Sequence, residues 1–432
     1  MIRWFYIISL AFLFACDTTS NVQPPNKNYF IKYFGRDGDQ FARDLIVNKD
    51  GTFFILGNSK QSGGSTNKVY LAKANSLGEL IQQVTYGVDM DARDIVLTSD
   101  GKLAIVANKN VSSTNVDILL TRFTLDLTLL DSALVFAGSS NVSSEQANSL
   151  VELSDGGFII EGLLGDINQS DELHLRVDNQ LKKFAGPGGW TETFGAGQND
   201  EGVKIFQHSS GEFYIFGATN ALYAGINNNK FWAYAFGYNG TPTKNGDLSI
   251  FEKTGTGLDN KLTDTGKVPS GGYILVGISS SANEDNLKVT ITVGTDTAFT
   301  FTPAGVAHDV ILKDNSATPA SLLGKGSPRF ATVYSSKSNY NLILANRYNT
   351  PSGKSDILLM KVNNALVPMW GDPASQEANY VQFGGDGDDS AAAVAELPDG
   401  HIMVLGTMQL GNPPAQFKIA LMKLNPNGKL AD

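Results

Sequence analysis

A unit of about fifty residues recurs along this chain, and that recurrence limits the fold more than any single motif does. Its clearest copy is Gln382–Leu424: an aromatic–Gly step, an acidic loop, the small-residue run Ser390–Leu397, a Pro-Asp-Gly turn, His401–Gly406, a loop, and the apolar run Phe417–Leu424. Two landmarks repeat upstream. The first is an aromatic or apolar residue followed by glycine: Phe34-Gly35, Tyr86-Gly87, Phe136-Ala137-Gly138, Phe194-Gly195, Thr254-Gly255, Leu323-Gly324 and Phe383-Gly384. The second is a turn dipeptide at Asp50, Asp100, Asp155, Ser210, Ser270, Ser338 and Asp399, which by subtraction recurs at intervals of 50, 55, 55, 60, 68 and 61 residues.

Short runs flank each turn, such as Phe41–Val47 with Thr52–Gly57 and Ala92–Thr98 with Leu103–Ala107. Asp-Gly and Ser-Gly tolerate the positive φ of a two-residue hairpin turn, so each pair of runs reads as a hairpin. A third run follows a variable loop, as in Val69–Ala72, Glu172–Val177 and Lys230–Phe236, and a fourth ends in the aromatic–Gly step, as in Glu79–Tyr86 and Thr191–Phe194. Four short strands per repeat with no helical period predict an all-β, seven-bladed β-propeller over residues 29–432. The last copy lacks a fourth strand, whereas Asn28–Gly35 is a fourth strand with no blade before it. Pairing Tyr29–Phe34 with Phe417–Leu424 closes the ring and removes both open edges. The fifth copy fits least well: Lys288–Val293 and Ala298–Thr302 both alternate like strands, which leaves an extra hairpin or a rearranged blade, and hence six or eight blades, open.

The pattern of small-residue strand, Asp-Gly-Gly turn, aromatic-Ile-x-x-Gly and D-x-x-L-x-K-L resembles the repeats of secreted and lipid-anchored bacterial β-propeller proteins. Asp155–Gly162 and Asp356–Val362 carry it best. The resemblance implies a fold and leaves activity open, because propellers host unrelated functions.

Met1–Ala15 has Arg3 followed by an apolar run too short to span a bilayer, which reads as an export signal. Its end, Leu13-Phe14-Ala15-Cys16, resembles the lipobox of bacterial lipoproteins, so Cys16, the only cysteine, is the expected lipidation site, with a plain secretory signal as the alternative. The polar segment 16–28, with Pro24-Pro25, reads as a tether. The expected address is the bacterial cell envelope, the outer membrane being favoured over the inner. The net charge of −10 argues against nucleic acid as a partner.

In most copies the loop that leads from the outer strand into the next inner strand is acidic: Asp37 and Asp39, Asp89 and Asp91, Glu145, Asp200 and Glu201, Asp259, and Asp386, Asp388 and Asp389, while copy six breaks the run with Ser327-Pro328-Arg329. Around one mouth of a propeller channel such a ring would focus negative potential and hold Ca²⁺ or a cationic ligand, with Asp37, Asp39, Asp386, Asp388 and Asp389 as candidate ligands. Asp and Asn that shape turns by bonding to backbone N–H groups explain the same recurrence. Tyr223, in a long loop on that face, is a candidate ligand-stacking ring, and Trp190, Trp232 and Trp370 are further aromatic candidates, core packing being the alternative. His174, His208, His308 and His401 show no zinc-type spacing and read as strand or surface residues. The glycine-rich Gly186–Gly189 precedes a strand, not a helix, and reads as a loop.

These readings combine into a non-catalytic, lipid-anchored scaffold that binds a protein partner or a glycan through its loop face. The alternative is a polysaccharide lyase or hydrolase with its site at the channel mouth, for which the irregular fifth copy offers Glu284, Asp285 and His308. A purely structural spacer is a third option.

Overall fold

The computed structural model of the protein describes residues 29–112, 115–136, 144–165, 169–184, 191–194, 199–208, 211–220, 228–240, 249–250, 258–292, 306–316, 321–325, 330–349, 353–411 and 415–430. Among them there is no helix. The chain opens with β1 (Phe30–Phe34). Blade 1 is β2 (Asp39–Val47), β3 (Phe53–Lys60), β4 (Asn67–Ala74) and β5 (Leu80–Tyr86); blade 2 is β6 (Met90–Leu97), β7 (Lys102–Asn110), β8 (Val116–Thr124) and β9 (Leu129–Phe136). Blade 3 is β10 (Ser144–Glu152), β11 (Phe158–Gly165), β12 (Ser170–Val177) and β13 (Thr191–Phe194); blade 4 is β14 (Asp200–Gln207), β15 (Phe213–Thr219), β16 (Lys230–Phe236) and β17 (Ser249–Ile250). Blade 5 is β18 (Asp259–Lys267), β19 (Tyr273–Ser280), β20 (Asp285–Thr292) and β21 (Val306–Leu312); blade 6 is β22 (Ala331–Ser335), β23 (Tyr340–Asn349), β24 (Lys354–Asn363) and β25 (Tyr380–Phe383). Blade 7 has β26 (Ser390–Glu396), β27 (Ile402–Leu410) and β28 (Gln416–Leu424).

Each blade is a four-stranded antiparallel sheet, and in blade 7 the outermost place is taken by β1. Its register, Phe30 opposite Lys423 through Phe34 opposite Ile419, is the closure expected from the odd strand at each end of the repeats. The inner strands β2, β6, β10, β14, β18, β22 and β26 touch in succession, and β26 returns to β2. The protein is a seven-bladed β-propeller. Its core is divided among the seven interfaces between blades; Leu56, Leu71, Ile95 and Ile105, for example, pack together between blades 1 and 2.

Six inner strands carry a bulge immediately after a small or apolar residue: Ala42, Ala92, Ala147, Gly202, Leu262 and Ala391. The second strand faces each of these residues with Gly or Ala because it crosses very close there; a Cβ on Gly162 would lie 1.8 Å from the Gln146 carbonyl oxygen. Across four interfaces a side chain of one blade's second strand accepts the N–H of the next blade's small residue. Asn58 takes Ala92 at 2.9 Å, Asn108 takes Ala147 at 2.8 Å, Asn346 takes Ala391 at 2.7 Å, and Thr407 takes Ala42 at 2.9 Å.

Two expectations change. The first-to-second-strand turns are longer than two residues: Thr98 N–H bonds to Lys102 O at 2.8 Å and Gly101 N–H to Thr98 O at 3.0 Å, so four residues separate β6 from β7. Only the glycine of the dipeptide has positive φ, 76° at Gly101, and Asn339 at 62° does the same work in blade 6. This is the longer hairpin loop in which a left-handed residue follows a turn. The fifth unit is an ordinary four-stranded blade: Asp285–Thr292 is its third strand and Val306–Leu312 its fourth, while Ala298–Thr302 lies outside the described residues. Leu323-Gly324 does not end a strand; Leu322 and Leu323 are buried in the connection between blades 5 and 6.

Replacing Thr407 by Val keeps the volume but leaves the buried Ala42 N–H without an acceptor. Urea denaturation should show a loss of about 1–2 kcal/mol, and Thr407→Ser should recover most of it.

Candidate functional site

The two residues after the small residue of each inner strand face the central channel, and their identities differ sharply around the ring. In blades 1 and 2 they are Arg43-Asp44 and Arg93-Asp94, in blade 4 Val203-Lys204 and in blade 5 Thr263-Asp264, whereas in blade 3 Asn148 alone lines the channel and Ser149 is buried, donating to Asp94 at 3.1 Å. In blades 6 and 7 they are Thr332-Val333 and Ala392-Ala393. The channel therefore has a charged side and an apolar side around a cavity of about 260 Å³.

Its floor is Lys204 among three carboxylates. The ammonium lies 3.6 Å from Asp94 Oδ2, and the charges of Asp94, Asp264 and Asp44 together hold it protonated, against the effect of burial. Each carboxylate also receives backbone N–H groups from the next inner strand: Ile95 to Asp44 at 3.4 Å, Leu150 to Asp94 at 2.8 Å, and Val333 to Asp264 at 3.1 Å. Burial pushes the Asp44 carboxyl well up, and the neighbouring Asp94 pushes it further; Asp264 is likewise raised by burial, with Lys204 opposing. The acids thus tie neighbouring inner strands together as well as lining the channel.

The rim above the floor is cross-linked by opposite charges. Asp91 receives Arg43 at 2.8 Å and Arg93 at 3.1 Å; Lys261 meets Glu201 at 2.9 Å; Asn148 donates to the Gly202 carbonyl at 2.8 Å. On the opposite side Phe330, Val333 and Ala392–Val394 complete the wall. Beside this cavity, on the same face, a second one of about 330 Å³ is lined by Phe41, Tyr348, Phe417, Ser355, Asp388, Asp389 and Ser390, with the Phe41 and Phe417 rings 5.1 Å apart. The channel cavity thus has the half-buried Phe330 ring on one side and charged groups on the other, and the second cavity adds the half-buried rings of Phe41 and Phe417.

Of the residues singled out in the sequence, Asp388 and Asp389 line this second cavity, and Asp91 and Glu201 reach the rim. Several acidic-loop residues serve the blade seams. Asp39 accepts the Phe417 N–H at 3.1 Å, Asp388 the Ser355 N–H at 3.3 Å and Asp259 the Asn229 N–H at 3.3 Å, each time joining an inner strand to the start of the preceding blade's third strand. Asp37 accepts from Gly38 N–H and from Gln416 Nε2, both at 3.1 Å. Asp389 accepts from Gln409 N–H at 2.9 Å and Gly385 N–H at 3.0 Å, and burial raises its carboxyl; Asp386 is exposed. Asp37, Asp39, Asp386, Asp388 and Asp389 do not gather into a three-ligand cluster; among the described residues only Glu161, Glu172 and His174 do.

Tyr223, Trp190 and Cys16 lie outside the described residues. Trp232 is fully buried between blades 3 and 4. His208 is buried against Tyr214, His401 bonds Asp399 at 3.0 Å, and His308 is exposed. His308 faces Ile291, six residues along β20 from Asp285, a separation of about 20 Å. The trio Glu284, Asp285 and His308 is therefore not one site. Sequence reasoning missed Lys204 and the channel acids, although Ala42-Arg43-Asp44 and Ala92-Arg93-Asp94 repeat verbatim fifty residues apart.

No protein-family profile matches the sequence, and no curated protein matches it significantly. Several solved structures resemble this one at low sequence identity. A polysaccharide lyase, Uly1, aligns with TM-score 0.47 and 12% identity over 95% of this chain and 94% of its own. The β-propeller domain of the Trilobed protease from Pyrococcus furiosus, described as having an open velcro topology, aligns with TM-score 0.43 and 10% identity over 92% and 97%. A protein of unknown function from Bacteroides caccae aligns with TM-score 0.41 and 11% identity over 77% and 93%. These likenesses concern architecture alone.

Because Asp44 and Asp264 hold protons more tightly in the folded chain than in the unfolded one, their contribution to stability is present at low pH and is lost as pH rises through the raised values. Lys204 counters that loss. Lys204→Met should therefore destabilise the protein by about 2 kcal/mol at pH 8, less than for a fully buried pair because channel water screens it. The deficit should shrink towards pH 5, as read from thermal melts across pH.

Proposed function

We propose that the protein is a non-catalytic lipoprotein of the bacterial cell envelope, anchored through Cys16, that binds the end of a glycan chain at its channel mouth. The observation that carries this reading is the two-sided mouth. A sugar ring has an apolar C–H face and an edge of hydroxyls. Phe330 and Phe41 supply flat surface for the first, and the Arg43–Asp91–Arg93 and Glu201–Lys261 groups supply paired donors and acceptors for the second. Those charges largely neutralise each other, which favours a neutral polyhydroxylated ligand over an ion. The cavity suits a single ring, being at the small end of ligand pockets.

The rival reading is a hydrolase or lyase at the same mouth. What favours it is the raised carboxyl of Asp44 beside Asp94, since two acids with separated affinities for protons can serve as acid and base. Against it, both carboxylates are already engaged by backbone N–H groups at the channel floor.

Envelope and plant glycans presented on an array, followed by calorimetry on the hits, test the proposal. Binding should weaken about tenfold, or 1.4 kcal/mol, in Phe330→Ala and in Arg43→Ala, with thermal melts little changed. Cleaved product would favour the enzyme, and glycan-independent capture of one membrane protein would favour the protein-partner reading. Labelling with a palmitate analogue should be lost in Cys16→Ser.

A further inference from the structure

Blade 3 departs from the other six at three core positions at once. In the β11–β12 register Glu161 lies directly opposite His174, and Glu172 is two residues before His174 on the same face of the sheet. The same register positions hold Leu56, Val69 and Leu71 in blade 1, and Val106, Ile118 and Leu120 in blade 2. They hold Phe216, Phe231 and Ala233 in blade 4, and Val276, Leu287 and Val289 in blade 5. In blades 6 and 7 they are Leu344, Ile357 and Leu359, and Leu405, Ile419 and Leu421. Eighteen equivalent residues, by count of those names, are apolar and almost fully buried. In blade 3 all three are carboxylate or imidazole, and they are just as buried: Glu161 0%, Glu172 0% and His174 1% exposed.

Their ligand atoms lie within 4.8 Å of one another. His174 Nδ1 is 2.7 Å from Glu172 Oε1, and the His174 ring is stacked on Phe236 of blade 4 at 4.7 Å. Among the described residues, neither carboxylate oxygen of Glu161 meets a donor at hydrogen-bond geometry, nor does Oε2 of Glu172, and no lysine or arginine forms an ion pair with either acid. A buried anion without donors costs several kcal/mol unless a proton or a cation neutralises it. Blade 4 leaves room for the acid: a Cβ on Gly202 would fall 1.5 Å from Glu161 Oε1.

We propose that Glu161, Glu172 and His174 form a structural site for a divalent transition-metal ion, of the zinc class, within the core of blade 3. One imidazole and two carboxylates from adjacent strands match the nitrogen and oxygen donors of tetrahedral sites, whose bonds are about 2.0–2.2 Å. Bonds of that length at a tetrahedral angle put ligand atoms roughly 3.3–3.6 Å apart, so His174 Nδ1 and Glu172 Oε1, at 2.7 Å, would part slightly while any wider pair closes in. Zinc suits a mixed imidazole–carboxylate set better than Ca²⁺, which takes six to eight oxygens. The ion would stand where the other blades have packed apolar side chains. This site is independent of the glycan mouth.

The test uses the full-length chain, stripped with chelator and then titrated with Zn²⁺, Mn²⁺ or Ca²⁺. Zn²⁺ should bind one per chain, by elemental analysis after gel filtration, and should raise the melting temperature by several degrees, with affinity falling as pH is lowered because the ligands must lose protons. Co²⁺ should give the visible absorption of a tetrahedral site. The triple variant Glu161→Leu, Glu172→Val, His174→Leu installs the blade 1 residues, so it should fold, melt at or above the stripped wild type, and lose the stoichiometric metal, the melting shift and the Co²⁺ spectrum. Wild type that retains no metal, or a triple variant that keeps the same metal response, would overturn the proposal; in the first case a shared proton alone neutralises the cluster.

Discussion

The N–H of the residue that opens each inner-strand bulge governs how these blades meet. The bulge turns that group away from its own sheet and towards the neighbour, where it is buried. A buried donor must be satisfied, and in this protein Asn58, Asn108, Asn346 and Thr407 of the preceding blade do so. The same bulge sends the following side chain into the channel, so one local irregularity sets both the seam and the channel lining. That coupling explains why a carboxylate such as Asp94 serves two purposes: it lines the channel and holds Leu150 of the next inner strand.

Much of the ring was readable because its punctuation is local. Glycine or asparagine in a left-handed conformation is demanded by the hairpin loop itself, so Gly51, Gly101 and Asn339 mark turns whatever lies around them. The unpaired strand at each terminus needs only counting, and β1 beside β28 answers it. What could not be read was convergence across strands. Glu161 stood in plain view inside the apolar run Phe158–Leu164, yet nothing in the linear order says that His174 lies opposite. Lys204 was hidden for a related reason: the bulge shifts the alternation by one residue, so a simple in-and-out count assigns it to the wrong side. The acidic loops fit the second of the two readings open for them, since Asp39, Asp259 and Asp388 accept backbone N–H groups at repeated seams.

The channel mouth, by contrast, gains its character from broken symmetry. Blades 1, 2, 4 and 5 supply charge there and blade 3 supplies Asn148, whereas blades 6 and 7 supply Val333, Ala392 and Ala393. A closed seven-fold ring with identical copies would present the same surface in every direction. This one has a front and a back, and Phe330 marks the change.

The seams themselves are unequal. Asparagine or threonine latches join blades 6, 7, 1, 2 and 3 in one unbroken arc, whereas the corresponding second-strand positions in blades 3, 4 and 5 are Leu163, Ala218 and Ile278, whose side chains cannot accept a hydrogen bond from the next blade. Thermal breathing should concentrate on that second arc, with amide protons of blades 4 and 5 exchanging first. Glu161 and His174 face blade 4 at the first of those weaker joints, which makes it the natural doorway for anything small enough to enter the wall of the ring.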